Sequence, residues 1–333
     1  MSEKWDKESI LSLSGAFQTC RILLTAAELD LFTILSDGPK SVEDIARDKS
    51  WDERGLRIVM DALAATGFLQ KSAEGSYSAD ETMLKLMAKN GSQSILPLVL
   101  HRNRMWESWS KLTEIVKTGS NPNPLGMASR TSEEVQDFID AMHVVGSVMA
   151  NRIVESLDLA PFKRMLDVGG ASGTYIMAFL RKAPHMKATL FDFPRVVEMG
   201  RNRLTQHGFI DRVEIVAGDY TKDELPSGHD LVLLSAIIHS NSRDVNRMLY
   251  GKIFRSLDPG GTVLIRDYVL DESRTNPPDG AIFAVNMLCA TSAGDSYTLK
   301  EIREDLETSG FVSVNLIRNG ANMDQLISAE KPR

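Results

Sequence analysis

The chain has 333 residues, enough for two domains, and its 43% hydrophobic and 25% charged content is that of an ordinary soluble globular protein. A net charge of −7 argues against a polyanionic partner such as nucleic acid. The opening Met1-Ser-Glu-Lys-Trp-Asp-Lys-Glu is too charged for a signal peptide, and no apolar stretch is expected to reach the roughly 20 residues of a membrane span.

Cys20 and Cys289 are isolated and lack metal-type spacing, which points to a reduced, cytoplasmic setting. The six histidines are scattered, so no metal site is expected. No internal repeat or low-complexity tract stands out.

In chain order, residues 8–36 read as helical, with apolar positions Ile10, Leu13, Phe17, Leu23, Leu24, Ala27, Leu31 and Ile34, until Asp37-Gly-Pro ends the stretch. Ser41 opens a second helix as N-cap, with Asp44 in the N3 role of a capping box. Asp52 opens a third that runs through Thr66. Gly67 to Lys71 gives a short strand, Glu74-Gly75-Ser76 a turn, and Tyr77-Ser78 begins the partner strand. Three helices and a hairpin make a winged-helix arrangement, which raises the idea of a DNA-binding regulator. The third helix argues against it: Asp52, Glu53 and Asp61 outnumber Arg54 and Arg57, whereas a groove-reading helix needs positive charge.

Residues 95–130 hold Trp106, Trp109 and a Gly/Pro/Asn-rich loop, Gly119 to Gly126. Residues 132–157 read as one long helix with Phe138, Met142, Val145, Met149 and Ile153 along one face.

The most telling stretch follows. The apolar run Met165-Leu-Asp-Val ends in a turn with Gly169, Gly170 and Gly173, and a helix is expected from Tyr175 to Lys182. A strand that breaks into a glycine turn and a helix lets main-chain N–H groups approach a ligand closely. The dinucleotide fingerprint G-x-G-x-x-G fails here, because Ala171 and Thr174 stand where it needs glycine. The S-adenosylmethionine (SAM) pattern, acid-x-G-x-G-x-G, is met by Asp167, Gly169 and Gly173 and broken only at Ala171. The next run ends in Asp192, about 20 residues on, where an acid can bond two ribose hydroxyls. The third ends in Gly218-Asp219-Tyr220, a carboxylate able to accept from an adenine amino group beside a ring able to pack on the base. The fourth, Asp230 to Ser235, runs into Ile237-Ile238-His239, and the fifth ends in Asp267. Polar groups thus recur at the C-terminal edge of successive strands, the ligand-binding edge of an open α/β sheet.

On Leu166-Asp-Val-Gly-Gly, Phe191-Asp-Phe-Pro, Ala217-Gly-Asp-Tyr, Ile238-His and Leu257-Asp-Pro-Gly-Gly, the chain resembles the class I SAM-dependent small-molecule O-methyltransferases of the caffeate and acetylserotonin type. The resemblance covers nearly the whole chain. It implies an α/β fold: a winged-helix dimerisation domain (1–100), a helical linker and pocket roof (101–157), and a Rossmann-like methyltransferase domain (158–333). It implies a homodimer, no nucleic-acid or membrane partner, and SAM as donor with S-adenosylhomocysteine as product. His239 matches the family's catalytic base and Asp267 its orienting acid. Asp167, Gly169, Gly173, Asp192, Phe193, Asp219, Tyr220 and Ser235 fall at the cofactor site. Met142 on the roof helix, with Asn286, Met287 and Thr291 beside a Pro277-Pro-Asp-Gly loop and a helix over 281–290, would face the acceptor.

The sequence also departs from the family. Ser235 stands for a Lys that meets the SAM carboxylate, and Ser240-Asn241 for Asp-Trp. Ser296 stands for a second acid beside the base, with Asp295 one residue away. These departures keep N-, S- or C-methylation open beside O-methylation, with a non-enzymatic SAM-binding or DNA-binding regulator as a third reading.

Overall fold

The structure is a computed structural model that describes residues 5–121, 131–320 and 322–333. Most of the loop predicted from Gly119 to Gly126 lies outside the described residues, as does Met1 to Lys4. The chain divides into two compact units, Met1–Trp106 and Glu107–Arg333.

The first unit holds α1 (Lys7–Glu28), α2 (Leu31–Ile34), α3 (Val42–Lys49), α4 (Glu53–Ala65), an antiparallel hairpin of β1 (Gln70–Lys71) and β2 (Tyr77–Ser78), and α5 (Glu81–Met87). Its core gathers Leu24, Leu31, Phe32, Ile45, Met60, Leu63 and Tyr77. The stretch 8–36 is not one helix. Asp30 takes a left-handed φ of 57°, which its short polar side chain tolerates, and the chain turns there without glycine or proline. The capping box at Ser41 is half formed: its hydroxyl accepts from Asp44 N, but Asp44 Oδ2 takes the Ser41 hydroxyl rather than the backbone N–H. The strand expected from Gly67 begins only at Gln70, because the amides of Phe68 and Leu69 both close the end of α4 on the Leu63 carbonyl.

Helix α1 corrects another expectation. Its 22 residues reach a mean hydropathy of 1.3, so by length and composition it could cross a membrane. Arg21 is the one charge between Glu8 and Glu28, and Ser, Thr and Gly punctuate the apolar run. Ile10, Leu11, Leu13 and Phe17 are each more than half exposed along it.

Helix α6 (Leu96–Ser110) carries the chain past the boundary, followed by α7 (Leu112–Thr118) and α8 (Ser132–Glu155). On α8, Met149 and Ile153 are buried, but Val145 is 42% exposed and so leaves the expected apolar face. Alternating strands and helices follow: β3 (Arg164–Val168), α9 (Thr174–Lys182), β4 (Lys187–Asp192), α10 (Pro194–Gln206), β5 (Val213–Ala217), β6 (His229–Ser235), α11 (Arg243–Ser256) and β7 (Leu257–Asp267). Then come β8 (Val269–Leu270), α12 (Pro278–Ala290), β9 (Tyr297–Thr298), α13 (Leu299–Thr308), β10 (Val312–Asn319) and β11 (Gln325–Glu330). Pro278, Asp279 and Gly280, expected in a loop, form the first turn of α12, where a proline needs no N–H partner.

Seven strands form one sheet in the order β10-β11-β7-β6-β3-β4-β5. The five from β7 to β5 run parallel, and β11 and β10 join antiparallel. Both faces are covered, so the central strands are nearly all apolar. Met165, Leu233 and Leu264 pack on the α9 face, and Leu166, Val232 and Ile265 on the α11 face. The strand order reverses between β3 and β6, and that crevice is where an open α/β sheet binds ligands.

Candidate active site

The glycine turn leaves β3 at this crevice. Gly169 (φ 71°) donates to the Phe191 carbonyl at 2.8 Å, and a Cβ there would fall 2.3 Å from Ile237 Cδ1. Gly173 (φ 72°) starts α9 with no side-chain cap. Ala171, the one mismatch to the SAM pattern, also takes a positive φ of 48° and donates its N–H to Asp192 Oδ2 at 2.8 Å. Asp192 Oδ1 accepts from Phe193 N at 2.7 Å. Burial pushes the Asp192 carboxyl up to about 6 despite these two donors. Asp167 is buried, and neither of its oxygens has a partner. Burial, with repulsion from Asp192, pushes its pKa up to about 7.

The remaining predicted donor-site residues lie around this turn. Phe193 packs with Val135, Ile139 and Val196. Asp219 is drawn into its own turn, accepting from Thr221 N and Oγ1 and pairing with Lys222 at 2.9 Å. Its burial opposes ionisation, but these bonds hold its carboxyl below the usual value. The Tyr220 hydroxyl donates to Asn241 Oδ1 at 3.0 Å. Ser235, half-buried, ends β6.

On the acceptor side, His239 sits on a tight turn, Ile238–Ser240, just past β6, and Asp267 ends β7. His239 Nδ1 lies 2.8 and 2.9 Å from the two oxygens of Asp267, which is 1% exposed. An ionised carboxylate only accepts, so Nδ1 carries the hydrogen and Nε2 keeps its lone pair. The turn is fixed through its backbone: Asn246 Nδ2 donates to the Ile238 carbonyl at 2.9 Å, and Asp295 N to the His239 carbonyl at 3.0 Å. The Phe283 ring meets the imidazole edge-on, centroids 4.8 Å apart, and Tyr268 packs on Phe283 at 5.1 Å.

The place of a second acid is taken otherwise. The Ser296 hydroxyl donates to the Gly280 carbonyl at 2.8 Å, and Asp295 is held by Arg274 at 2.5 Å. Asp267 is therefore the acid bonded to the imidazole.

Asn286 Oδ1 accepts from the Trp109 indole at 3.1 Å, and Met287 is buried. Thr291 Oγ1 donates to the Met287 carbonyl and accepts from Gly294 N, which closes the end of α12. Met142 is half-buried on α8. Sequence reasoning missed Phe283 and Tyr268. Phe283 was detectable: it stands three and four residues before Asn286 and Met287, on one helix face. Tyr268 gave no signal beyond following Asp267. Among the described residues no group of three or more His, Cys, Asp or Glu could hold a metal.

A parallel sheet with a glycine turn at its switch point, and acids at the ends of β4 and β7 and just past β5, defines the class I methyltransferase architecture. Comparison with known proteins agrees. The family model for the O-methyltransferase domain matches residues 109–312, and that for the O-methyltransferase dimerisation domain matches 11–86. The tetracenomycin polyketide synthesis 8-O-methyl transferase of Streptomyces glaucescens is 28% identical over 97% of this chain and 96% of its own length. The 3-hydroxy-5-methyl-1-naphthoate 3-O-methyltransferase of Streptomyces sahachiroi is 29% identical over 92% of this chain and 89% of its own. In fold, human N-acetylserotonin methyltransferase in complex with SAM superposes with a TM-score of 0.85 over the full length of both chains, at 24% identity. The chain belongs to the O-methyltransferase family and is a SAM-dependent enzyme. Its residues fit that donor: Asp167 holds a buried carboxyl with neither oxygen partnered beside the glycine turn, suited to a ligand that carries a sulfonium and an ammonium.

Proposed function

We propose that this enzyme methylates a hydroxyl of a small aromatic molecule, with His239 as general base and Asp267 as its orienting partner. The observation that carries the reading is the buried, two-oxygen Asp267–His239 contact beside the Phe283 ring. SAM, when bound, would supply a methyl carbon bonded to a sulfonium, whose sulfur takes the bonding pair and departs as a neutral thioether without help. The hydroxyl does need help, since a phenol has a pKa near ~10. Nε2 of His239 accepts its proton as the methyl transfers, and Asp267 stabilises the imidazolium that forms. Phe283 and Tyr268 give a flat ring an aromatic surface within reach of that nitrogen. The relatives' names, an 8-O-methyl transferase of tetracenomycin synthesis and a naphthoate 3-O-methyltransferase, support an aromatic acceptor.

We assign donor binding to Asp167, Gly169, Gly173, Asp192, Phe193, Asp219, Tyr220 and Ser235, and the acceptor wall to Met142, Asn286, Met287 and Thr291. The test is a mass-spectrometric screen of hydroxylated aromatics, with amine and thiol analogues, in the presence of SAM. A one-methyl gain on the hydroxylated members is expected. Gain confined to the amines or thiols would replace this reading with N- or S-methylation.

We further propose a homodimer formed through residues 1–100, read as a winged-helix dimerisation domain in a cytosolic protein with two unpaired cysteines. Ile10, Leu11, Leu13 and Phe17 form an exposed apolar row on α1 that a second copy can bury. Sedimentation of the intact chain should give a dimer; a monomer at micromolar concentration refutes it.

A further inference from the structure

Arg266 is 3% exposed, yet among the described residues no carboxylate lies within ion-pair distance of its guanidinium. Nη1 donates to the Tyr175 hydroxyl at 2.8 Å, Nη2 approaches Met323 Sδ at 3.0 Å, and Nε has no partner. The group sits over the Tyr175 ring, 5.4 Å from its centroid. A guanidinium stays charged in any protein environment, and a buried charge without an opposite charge is costly. A cation–π contact recovers only part of that cost.

The bonds around Arg266 have a direction. The Tyr175 oxygen accepts from Arg266, so its own hydrogen must point elsewhere, and the Ser235 side chain lies close to the same phenol. Ser235 pairs with Arg266 in register, at the C-terminal edge of the sheet. Arg266 and Tyr175 are buried, whereas Ser235 is only half-buried. A buried cation, the phenol that accepts from it and an accessible hydroxyl therefore stand side by side at that edge. Such an array receives an anion. On the same face lies Asp167: it, Ser235 and Arg266 each stand two residues beyond a member of one core cluster, Met165, Leu233 and Leu264. Its unpartnered carboxylate supplies the opposite sign.

We propose that Ser235, Tyr175 and Arg266 form the receptor for the α-carboxylate of the donor's amino-acid end, with Ser235 touching it and Arg266 acting as a positioning residue that supplies the charge from behind. β6 ends without a cation, and β7 provides one. This inference rests on the SAM reading of the site.

The test compares equilibrium binding of S-adenosylhomocysteine with that of 5′-methylthioadenosine, which keeps the nucleoside and sulfur but lacks the amino acid. Arg266→Met and Tyr175→Phe should each weaken S-adenosylhomocysteine about tenfold or more and leave 5′-methylthioadenosine within about twofold, with partial recovery in Arg266→Lys. Equal weakening of both ligands, or of neither, overturns the proposal. Should Arg266→Met fail to fold and lose both ligands, Tyr175→Phe, which keeps the guanidinium and the ring, decides. Wild-type protein that binds neither nucleoside would instead break the donor reading itself.

Discussion

The donor and acceptor sides of the crevice are built on opposite principles. Around His239 the polar groups satisfy one another: imidazole to Asp267, Asp267 to Tyr268 N, the His239 carbonyl to Asp295 N. Around the glycine turn they do not: both oxygens of Asp167 and Nε of Arg266 are buried and unpartnered. The acceptor side is thus organised before anything binds. The donor side carries a cost that a charged ligand can relieve, and part of its stability is lent by that ligand. Preorganisation suits the side where a proton must move at the moment of reaction, because donors already in place cost no rearrangement then.

The largest expected effect breaks the acceptor side alone. His239→Ala should lower turnover by about 10²–10⁴ and leave S-adenosylhomocysteine affinity unchanged by calorimetry. Asp267→Asn should cost less, since it disturbs only the tautomer and the imidazolium. Joint loss of turnover and nucleoside binding would show that His239 supports both sides structurally. An alanine variant that keeps most of its activity would point to an acceptor already ionised, such as a thiolate, served by proximity alone.

An intermediate effect concerns Asp167 without ligand. Its folded-state pKa, about 7, lies above the ordinary 3.8, so the native chain holds a proton that the unfolded chain has released. The stability it contributes is fully present below about pH 4 and is lost as pH rises to about 7, by as much as ~1.4 kcal/mol per pH unit. Asp167→Asn should remove that slope, so denaturant melts of wild type and variant should diverge with rising pH, by a few kcal/mol in order of magnitude near pH 8. Parallel pH profiles would mean that Asp167 is ionised throughout and already compensated. The smallest effect is at Ala171, whose φ of 48° suits glycine better. Ala171→Gly should raise stability by roughly 0.5–1 kcal/mol, relief of strain offset by added chain entropy, and a fall in the melting midpoint would contradict this.

What the sequence disclosed follows the same division. Strand ends carry their signals locally: Asp167, Asp192, Asp219 and Asp267 each close an apolar run, and His239 follows one. The glycine turn was legible because its backbone demands it. Contacts across many residues left no local trace. Arg274 reaching Asp295, Trp109 reaching Asn286, and Phe283 edge-on to His239 depend on where elements meet. The break at Asp30 was hidden because aspartate, not glycine, bears the left-handed residue. The final antiparallel pair, β10 and β11, passed unread, since Val312 to Asn319 alternates weakly and carries bulges in its pairing.

Ile237 belongs to both sides. Its terminal methyl occupies the space above Gly169 that any larger residue there would need, and its carbonyl accepts from Ser240 N, closing the turn that carries His239. A change of side chain at 237 would therefore act on the cradle first, and would reach His239 only by shifting the backbone of that turn.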